Sequence, residues 1–217
     1  PFADPGSAGT EISTRAVESR WPVKAIAATM DQALVSVAGR GLFARPGIVA
    51  RAFVALHEAG LGAALISQAA TEYAFAFTVP NARAADAVEA LRAALAPELA
   101  LGEIESVETR LGVATVGVVG LRLADEPGVA ARDLGALAAA RVNVLAAAQG
   151  SGSGGSLSIV VDATRAVEAQ RAIHEQFELH KLGGGRAAAV SHVDVVLLGV
   201  GTIGCELLRQ IGDRGRA

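Results

Sequence analysis

Residues 34–56 read LVSVAGRGLFARPGIVARAFVAL and residues 115–137 read TVGVVGLRLADEPGVAARDLGAL. Each begins with an apolar run ending in glycine, Gly39 or Gly120, followed by a loop closed by Pro46-Gly47 or Pro127-Gly128. An Ala-rich stretch comes next, in which Arg51 and Arg132, then Leu56 and Leu137, stand the same 81 positions apart. Gln68 and Gln149 keep that spacing beyond a second apolar run. Self-similarity of this kind means that one supersecondary unit occurs twice. The chain is therefore read as two small modules rather than one large domain.

The periods give the elements. Leu34, Val35 and Val37 form a short apolar run bounded by Gly39, a strand signal. Ile48, Ala52, Leu56 and Ala59 recur at helical spacing until Gly60 stops the helix. Leu61 to Ser67 reads as the next strand. Tyr73, Phe75, Phe77 and Val79 alternate with small residues, a period of two. Ala84, Val88, Leu91 and Leu95 mark a second helix, stopped by Pro97, and Ile104 to Thr109 a closing strand. The second copy repeats the order: strand Val113–Val119, helix Val129–Ala140, strands Val142–Ala148 and Leu157–Val161, and a helix carrying Ala166, Ala169, Ile173 and Phe177. Each copy is a β-α-β-β-α-β unit, the split-βαβ ferredoxin-like plan, so the fold class is α+β with antiparallel sheets.

Composition narrows the function classes. The 217 residues are 52% hydrophobic and only 4% aromatic, with 22 acids against 19 bases. No basic footprint for phosphate backbones is present, and there is little aromatic surface for stacking on bases, so no nucleic-acid partner is expected. The longest apolar stretch, Leu111 to Leu121, is too short for a membrane helix of about 20 residues. The lone Cys205 cannot form an internal disulfide, and no secretory signal opens the chain, so a cytoplasmic setting is expected. His57 and Glu58 read as a solvated helix face, and His174, His180 and His192 lack metal-ligand spacing. No catalytic constellation and no metal site are expected.

A family resemblance rests on an ordered set of motifs. Val23-Lys24-Ala25-Ile26, Leu34 to Gly39, Pro46-Gly47-Ile48, Ile66-Ser67-Gln68 and Thr71-Glu72-Tyr73 resemble the first ACT domain of aspartate kinases. Val116 to Gly120, Pro127 to Ala131, Val142-Asn143-Val144 and Ala148 to Ser151 resemble the second. Pro5 to Ile12 is similar to the end of the kinase catalytic domain. Near the end, the apolar run Val193 to Leu198 enters Gly199-Val200-Gly201-Thr202-Ile203-Gly204, and Leu207, Leu208 and Ile211 open a helix. In that setting the glycines permit a tight turn and close approach to a dinucleotide pyrophosphate. Following a double ACT region, this resembles the fused aspartate kinase–homoserine dehydrogenases.

The resemblance implies the tail of a kinase domain and connector over 1–30, ACT domain 1 over 31–110 and ACT domain 2 over 111–180. A linker over 181–192 and the truncated start of a Rossmann-type dehydrogenase domain over 193–217 would follow. It further implies NAD(P) at Gly199, Gly201, Thr202, Ile203 and Gly204, and ATP with Mg at a kinase domain outside this stretch. An amino-acid effector, by analogy threonine, would sit at Gln68, Gly47 and Ile48 and at Gln149, Gly128 and Val129. A homo-oligomer formed through the ACT domains would complete the picture.

The effector reading has a physical basis. A helix N-terminus carries N–H groups without intrahelical partners, which a carboxylate satisfies while gaining from the helix dipole. Gly47 and Gly128 bring no capping oxygen of their own. A glutamine amide offers one acceptor and two donors, suited to an α-ammonium and to a carboxylate or hydroxyl. A glutamine in such a place either ties down a neighbouring loop or stays open to a ligand. The second copy departs from the pattern after Gln149, where Gly150 to Ser156 is glycine- and serine-rich and nothing matches Glu72. Matching Phe75 to Leu157 needs an offset of 82, one residue more. Asn143 likewise has no counterpart at Gly62-Ala63. The second site is expected to bind more weakly. Two other readings stay open: a dehydrogenase with ACT units and no kinase, and a non-enzymatic amino-acid-binding dimerisation module.

Overall fold

The computed structural model describes residues 23–40, 42, 46–69, 74–120, 123–150 and 155–179. By its contacts the chain separates into Pro1–Gly183 and Gly184–Ala217, and every described residue lies in the first part. The dinucleotide fingerprint at Gly199 to Gly204, together with Cys205, Glu72, His180 and His192, lies outside the described residues.

Six strands make one sheet in the order β2-β3-β1-β4-β6-β5. They are β1 (Ala25–Ala38), β2 (Ile66–Ala69), β3 (Ala74–Pro80), β4 (Ser106–Val119), β5 (Ala146–Gly150) and β6 (Ser156–Asp162). The helices are α1 (Pro46–Glu58), α2 (Ala84–Ala94), the short α3 (Ala96–Ala100), α4 (Val129–Ala139) and α5 (Ala166–Gln176). Pro97 does not merely stop α2. It occupies the first turn of α3, where a missing N–H is harmless.

Two long strands carry both modules. From Gln32 to Ala38, β1 pairs with β3, while from Ala25 to Thr29 it pairs only with the Thr115–Val119 end of β4. That end of β4 pairs in turn with β6. The first module is thus closed by Ser106–Arg110 of β4, and the second is closed by Ala25–Thr29, which precede the first module in the chain. Both modules have the ferredoxin-like strand order, but the second borrows its fourth strand across more than 80 positions of sequence. The divisions expected at 30/31 and 110/111 fall inside β1 and β4. Where each strand passes between modules the backbone turns left-handed, at Asp31 (φ 56°) and Gly112 (φ 68°), which are themselves 81 positions apart. The β1–β4 register shifts there.

Alternation sets the layers. Val35, Val37, Phe75, Phe77 and Val79 point to one face and pack with Ile48, Ala52 and Leu56 of α1 and Ala87 and Leu91 of α2. Ala114, Val116, Val118, Leu157, Ile159 and Val161 do the same with α4 and α5 in the second module, joined by Val23, Ile26 and Ala28. The opposite, helix-free faces meet each other through Leu34, Leu65, Val113 and Val160, with Ala76, Ala146 and Ala148 beside them. The sheet thereby brings its two end strands together: the Ser67 hydroxyl of β2 donates to the Ala147 carbonyl of β5 at 3.1 Å.

The first helix of each module ends alike. Gly60 (φ 67°) and Arg141 (φ 56°) are left-handed, and Leu61 N–H and Val142 N–H bond back to Leu56 and Leu137 carbonyls at 2.8 and 2.9 Å. These closures leave Leu61–Ala64 and Val142–Val144 as connections rather than strand. Leu61 and Val142 bury their side chains, while Gly62, Ala64 and Asn143 in the same connections are exposed.

Candidate functional site

The two predicted sites lie at equivalent places in the repeat, although Pro46 and Gly47 already belong to α1 while Gly128 precedes α4. Helix α4 opens at Gly128, whose left-handed φ of 83° brings in a backbone with no side-chain cap, and the first intrahelical bond runs from Arg132 N–H to Gly128 C=O at 2.9 Å. Neither α1 nor α4 has an acid in its first turn. The other two long helices differ: α2 and α5 carry Asp86 and Glu168 there, paired with Arg83 at 2.7 Å and Arg165 at 2.6 Å. Among the described residues, the helices that the repeat singled out are the long ones without an acid in the first turn, where an anion would meet no repulsion from the helix's own side chains.

Side chains at these helix starts divide by role. Ile48 and Val129 are buried in the two cores. They anchor the helices and offer a ligand only their backbone N–H groups. Gly47 and Gly128 are exposed, and a Cβ at either would meet nothing within 4 Å.

Gln68 lies opposite Phe75 in the β2–β3 ladder, and Gln149 lies opposite Leu157 in the β5–β6 ladder. Phe75 and Leu157 face the helices, so both glutamines stand on the helix side of an edge strand. The one-residue offset between the copies therefore falls between Gln149 and Leu157. Both glutamines are exposed, and among the described residues neither amide is hydrogen-bonded. His57 and Glu58 are exposed on α1, and Asn143 is exposed in the connection before β5.

An open groove of about 790 Å³ lies elsewhere, against α2 and β4, lined by Ala84, Val88, Glu89, Arg92, Thr109 and Leu111 among others. None of the predicted site residues contributes to it. Among the described residues no cluster of His, Cys, Asp or Glu could hold a metal, and no helix is long and apolar enough to cross a membrane.

Repeat position and environment diverge at two places that the sequence reading passed over. Arg51 pairs with the largely buried Glu98 of α3, whereas its counterpart Arg132 lies 4.6 Å over the Phe177 ring and donates to the Gln176 carbonyl at 3.0 Å. Asp133 is fully buried on α4 with neither carboxylate oxygen hydrogen-bonded, where the first module has the equally buried Ala52. Comparing the copies position by position would have found it.

Burial pushes the Asp133 carboxyl up to about 6 from an ordinary value of 3.8, because the charged form loses its hydration. Its contribution to stability is full below the unfolded value and is lost as pH rises through about 6. Asp133→Ala is expected to remove that pH dependence and to raise stability at neutral pH by on the order of 2 kcal/mol. Urea unfolding at a series of pH values measures this, and parallel profiles for parent and variant would contradict it.

Comparison with known proteins adds independent findings. The family model described as ACT domain matches residues 35–95 and 116–177. The bifunctional aspartokinase/homoserine dehydrogenase of Haemophilus influenzae is 33% identical over 208 residues, covering 96% of this chain and 24% of that protein. The chloroplastic bifunctional aspartokinase/homoserine dehydrogenase 1 of Zea mays is 37% identical over 192 residues, covering 88% of this chain and 20% of that protein. The chain thus spans about a quarter or less of these curated relatives. Among solved structures, the regulatory subunit of aspartate kinase from Thermus flavus aligns at 32% identity with a TM-score of 0.60, over 72% of this chain and 99% of that one. The ligand-free regulatory subunit from Thermus thermophilus aligns at 31% identity and a TM-score of 0.59, with the same coverage.

Proposed function

Because this chain belongs to the ACT domain family, and is similar along nearly its whole length to the regulatory region of aspartokinase/homoserine dehydrogenases, we propose that it senses threonine as a feedback effector. The observation that carries the reading is that the first helix of each module has no acid in its first turn and that each module sets an exposed glutamine on the helix side of an edge strand. The effector carboxylate takes the open N–H groups at Gly47-Ile48 and Gly128-Val129 and gains from the helix dipole. The Gln68 and Gln149 amides accept from the α-ammonium and donate to the hydroxyl.

In the whole protein this region would govern phosphorylation of aspartate by ATP with Mg and reduction of aspartate semialdehyde with NAD(P)H, in a cytoplasmic homo-oligomer joined through ACT domains. The Gly199 to Gly204 fingerprint would hold the dinucleotide. The second effector site is the weaker one, since its glycine-rich loop after Gln149 costs more entropy to order.

Titration calorimetry with threonine tests the reading. Gln68→Ala is expected to weaken binding roughly tenfold and Gln149→Ala by less, the loss of one or two hydrogen bonds at sites of unequal strength. Equal losses would overturn the asymmetry. Heat with lysine or methionine but not threonine would reassign the effector, and no heat with any amino acid would sink the sensing function.

A further inference from the structure

Among the described residues, Asp133 is the one acid that the second module buries completely, and neither of its carboxylate oxygens is hydrogen-bonded. We propose that the second module takes up a proton as it binds its effector, and that Asp133 is the group that receives it; the inference rests on the amino-acid-sensing reading above.

Three observations carry it. The first is position. Asp133 stands four residues beyond Val129 on α4, about one turn and roughly 6 Å along the axis from the helix start that would receive the effector carboxylate. That start has no side-chain cap and no acid in its first turn. A negative charge on Asp133 lies in the apolar core behind it and opposes a second negative charge arriving there.

The second is the lack of any compensating charge. The side of α4 that buries Asp133 also buries Val129, Ala136 and Leu137, and α5 packs with Ala169 and Ile173. The cations at the rim are committed. Arg132 lies over the Phe177 ring and donates to the Gln176 carbonyl, and Arg165 donates to the Ala140 carbonyl and pairs with Glu168. Arg171, His174 and Glu175 are exposed on α5, as are Asp125 and Glu126 before α4 and Arg141 after it. Lys24, just before β1, and Glu178, beyond α5, each have a partner. A proton from solvent is what remains to neutralise Asp133. Burial already pushes its carboxyl up to about 6, so a modest further rise changes its state near neutral pH.

The third is that the repeat supplies its own control. The first module has Ala52 at the equivalent position, and its buried acid, Glu98, is paired with Arg51. Its binding is not tied to a proton in this way.

The step is a protonation alone: hydronium gives its proton to one Asp133 carboxylate oxygen, leaving water and a neutral carboxyl, as the effector carboxylate docks. Linkage fixes the sign. A bound carboxylate raises the proton affinity of Asp133, so the second site binds more tightly as the pH falls.

Titration calorimetry with threonine in two buffers of unlike ionisation enthalpy, near pH 6.5, counts the protons taken up. In Gln68→Ala, whose first site is weakened, about 0.3–0.5 proton is expected per second site filled, with affinity about three- to sevenfold higher at pH 5.5 than at pH 8. Adding Asp133→Asn is expected to abolish the uptake and the pH dependence and to tighten second-site binding about three- to tenfold at pH 8. Asp133→Ala, which has no titrating group either, is expected to abolish both as well. The proposal is overturned if uptake is the same with and without the Asp133 carboxyl, if there is none, or if the second site gives no heat. Absence of heat from either site in the parent would sink the sensing function itself.

Discussion

Gly39→Ala is expected to unfold the protein or to lower its stability by more than about 3 kcal/mol. A Cβ built at Gly39 would lie 2.3 Å from the Glu103 carbonyl oxygen, 2.5 Å from Ile104 Cα and 2.9 Å from Glu105 N. All three are backbone atoms, so no side-chain rotamer relieves the clash. The segment cannot withdraw cheaply either. Glu105 N–H bonds the Ala38 carbonyl at 2.7 Å, and Ile104 is buried in the first core. Gly135→Ala is the matching control: its Cβ would meet nothing within 4 Å, and it lies within α4, so replacement is expected to stabilise by up to about 1 kcal/mol. Urea unfolding of both variants checks this. A Gly39→Ala protein as stable as its parent would refute the close approach of β1 to the chain entering β4.

A polypeptide of residues 111–180 is expected to remain unfolded on its own, although it contains the whole second repeat. Its closing strand is Ala25–Thr29, and Val23, Ile26 and Ala28 pack into its core. Without them Thr115 to Val119 becomes an open edge of the sheet, and the core loses three apolar side chains, each worth roughly 1–3 kcal/mol. Joining residues 23–30 after residue 180 through a flexible linker is expected to restore a cooperative thermal transition. Circular dichroism melts compare the two polypeptides. A cooperative transition in the unextended 111–180 fragment, unchanged by the added strand, would contradict the exchanged topology.

The repeat made most of the architecture legible. One offset placed α1 and α4, the glutamines, and the ferredoxin-like order of each module, because periodic apolar positions at fixed spacing reflect local hydrogen bonding and one buried face. The borrowed strand was not legible in the same way. Ala25, Ile26, Ala27, Ala28 and Thr29 alternate only weakly, since small residues sit on both faces, and their partner lies some 90 positions away. Continuity of β4 was hidden by Arg110-Leu111-Gly112, which breaks the alternation where the strand passes between modules. The connections beginning at Leu61 and Val142 read as strand because each buries an apolar side chain without joining the sheet. At the candidate sites the spacing marked the helix starts and the glutamines. It could not say that α2 and α5 cover their own N-termini with Asp86 and Glu168 while α1 and α4 do not, a contrast that depends on where each helix begins.

On the proposed reading both sites share one chemical idea, a free carboxylate received at a helix start and an amide that reads the rest of the molecule. Calorimetry of the parent protein with threonine and with threoninamide, which keeps the ammonium and hydroxyl but has no carboxylate, tests that idea directly. The account predicts a binding isotherm for threonine and at least about a tenfold loss of affinity for threoninamide, in line with a charge-assisted bond to the helix N-terminus. Equal binding of the two, or binding of neither, would contradict it.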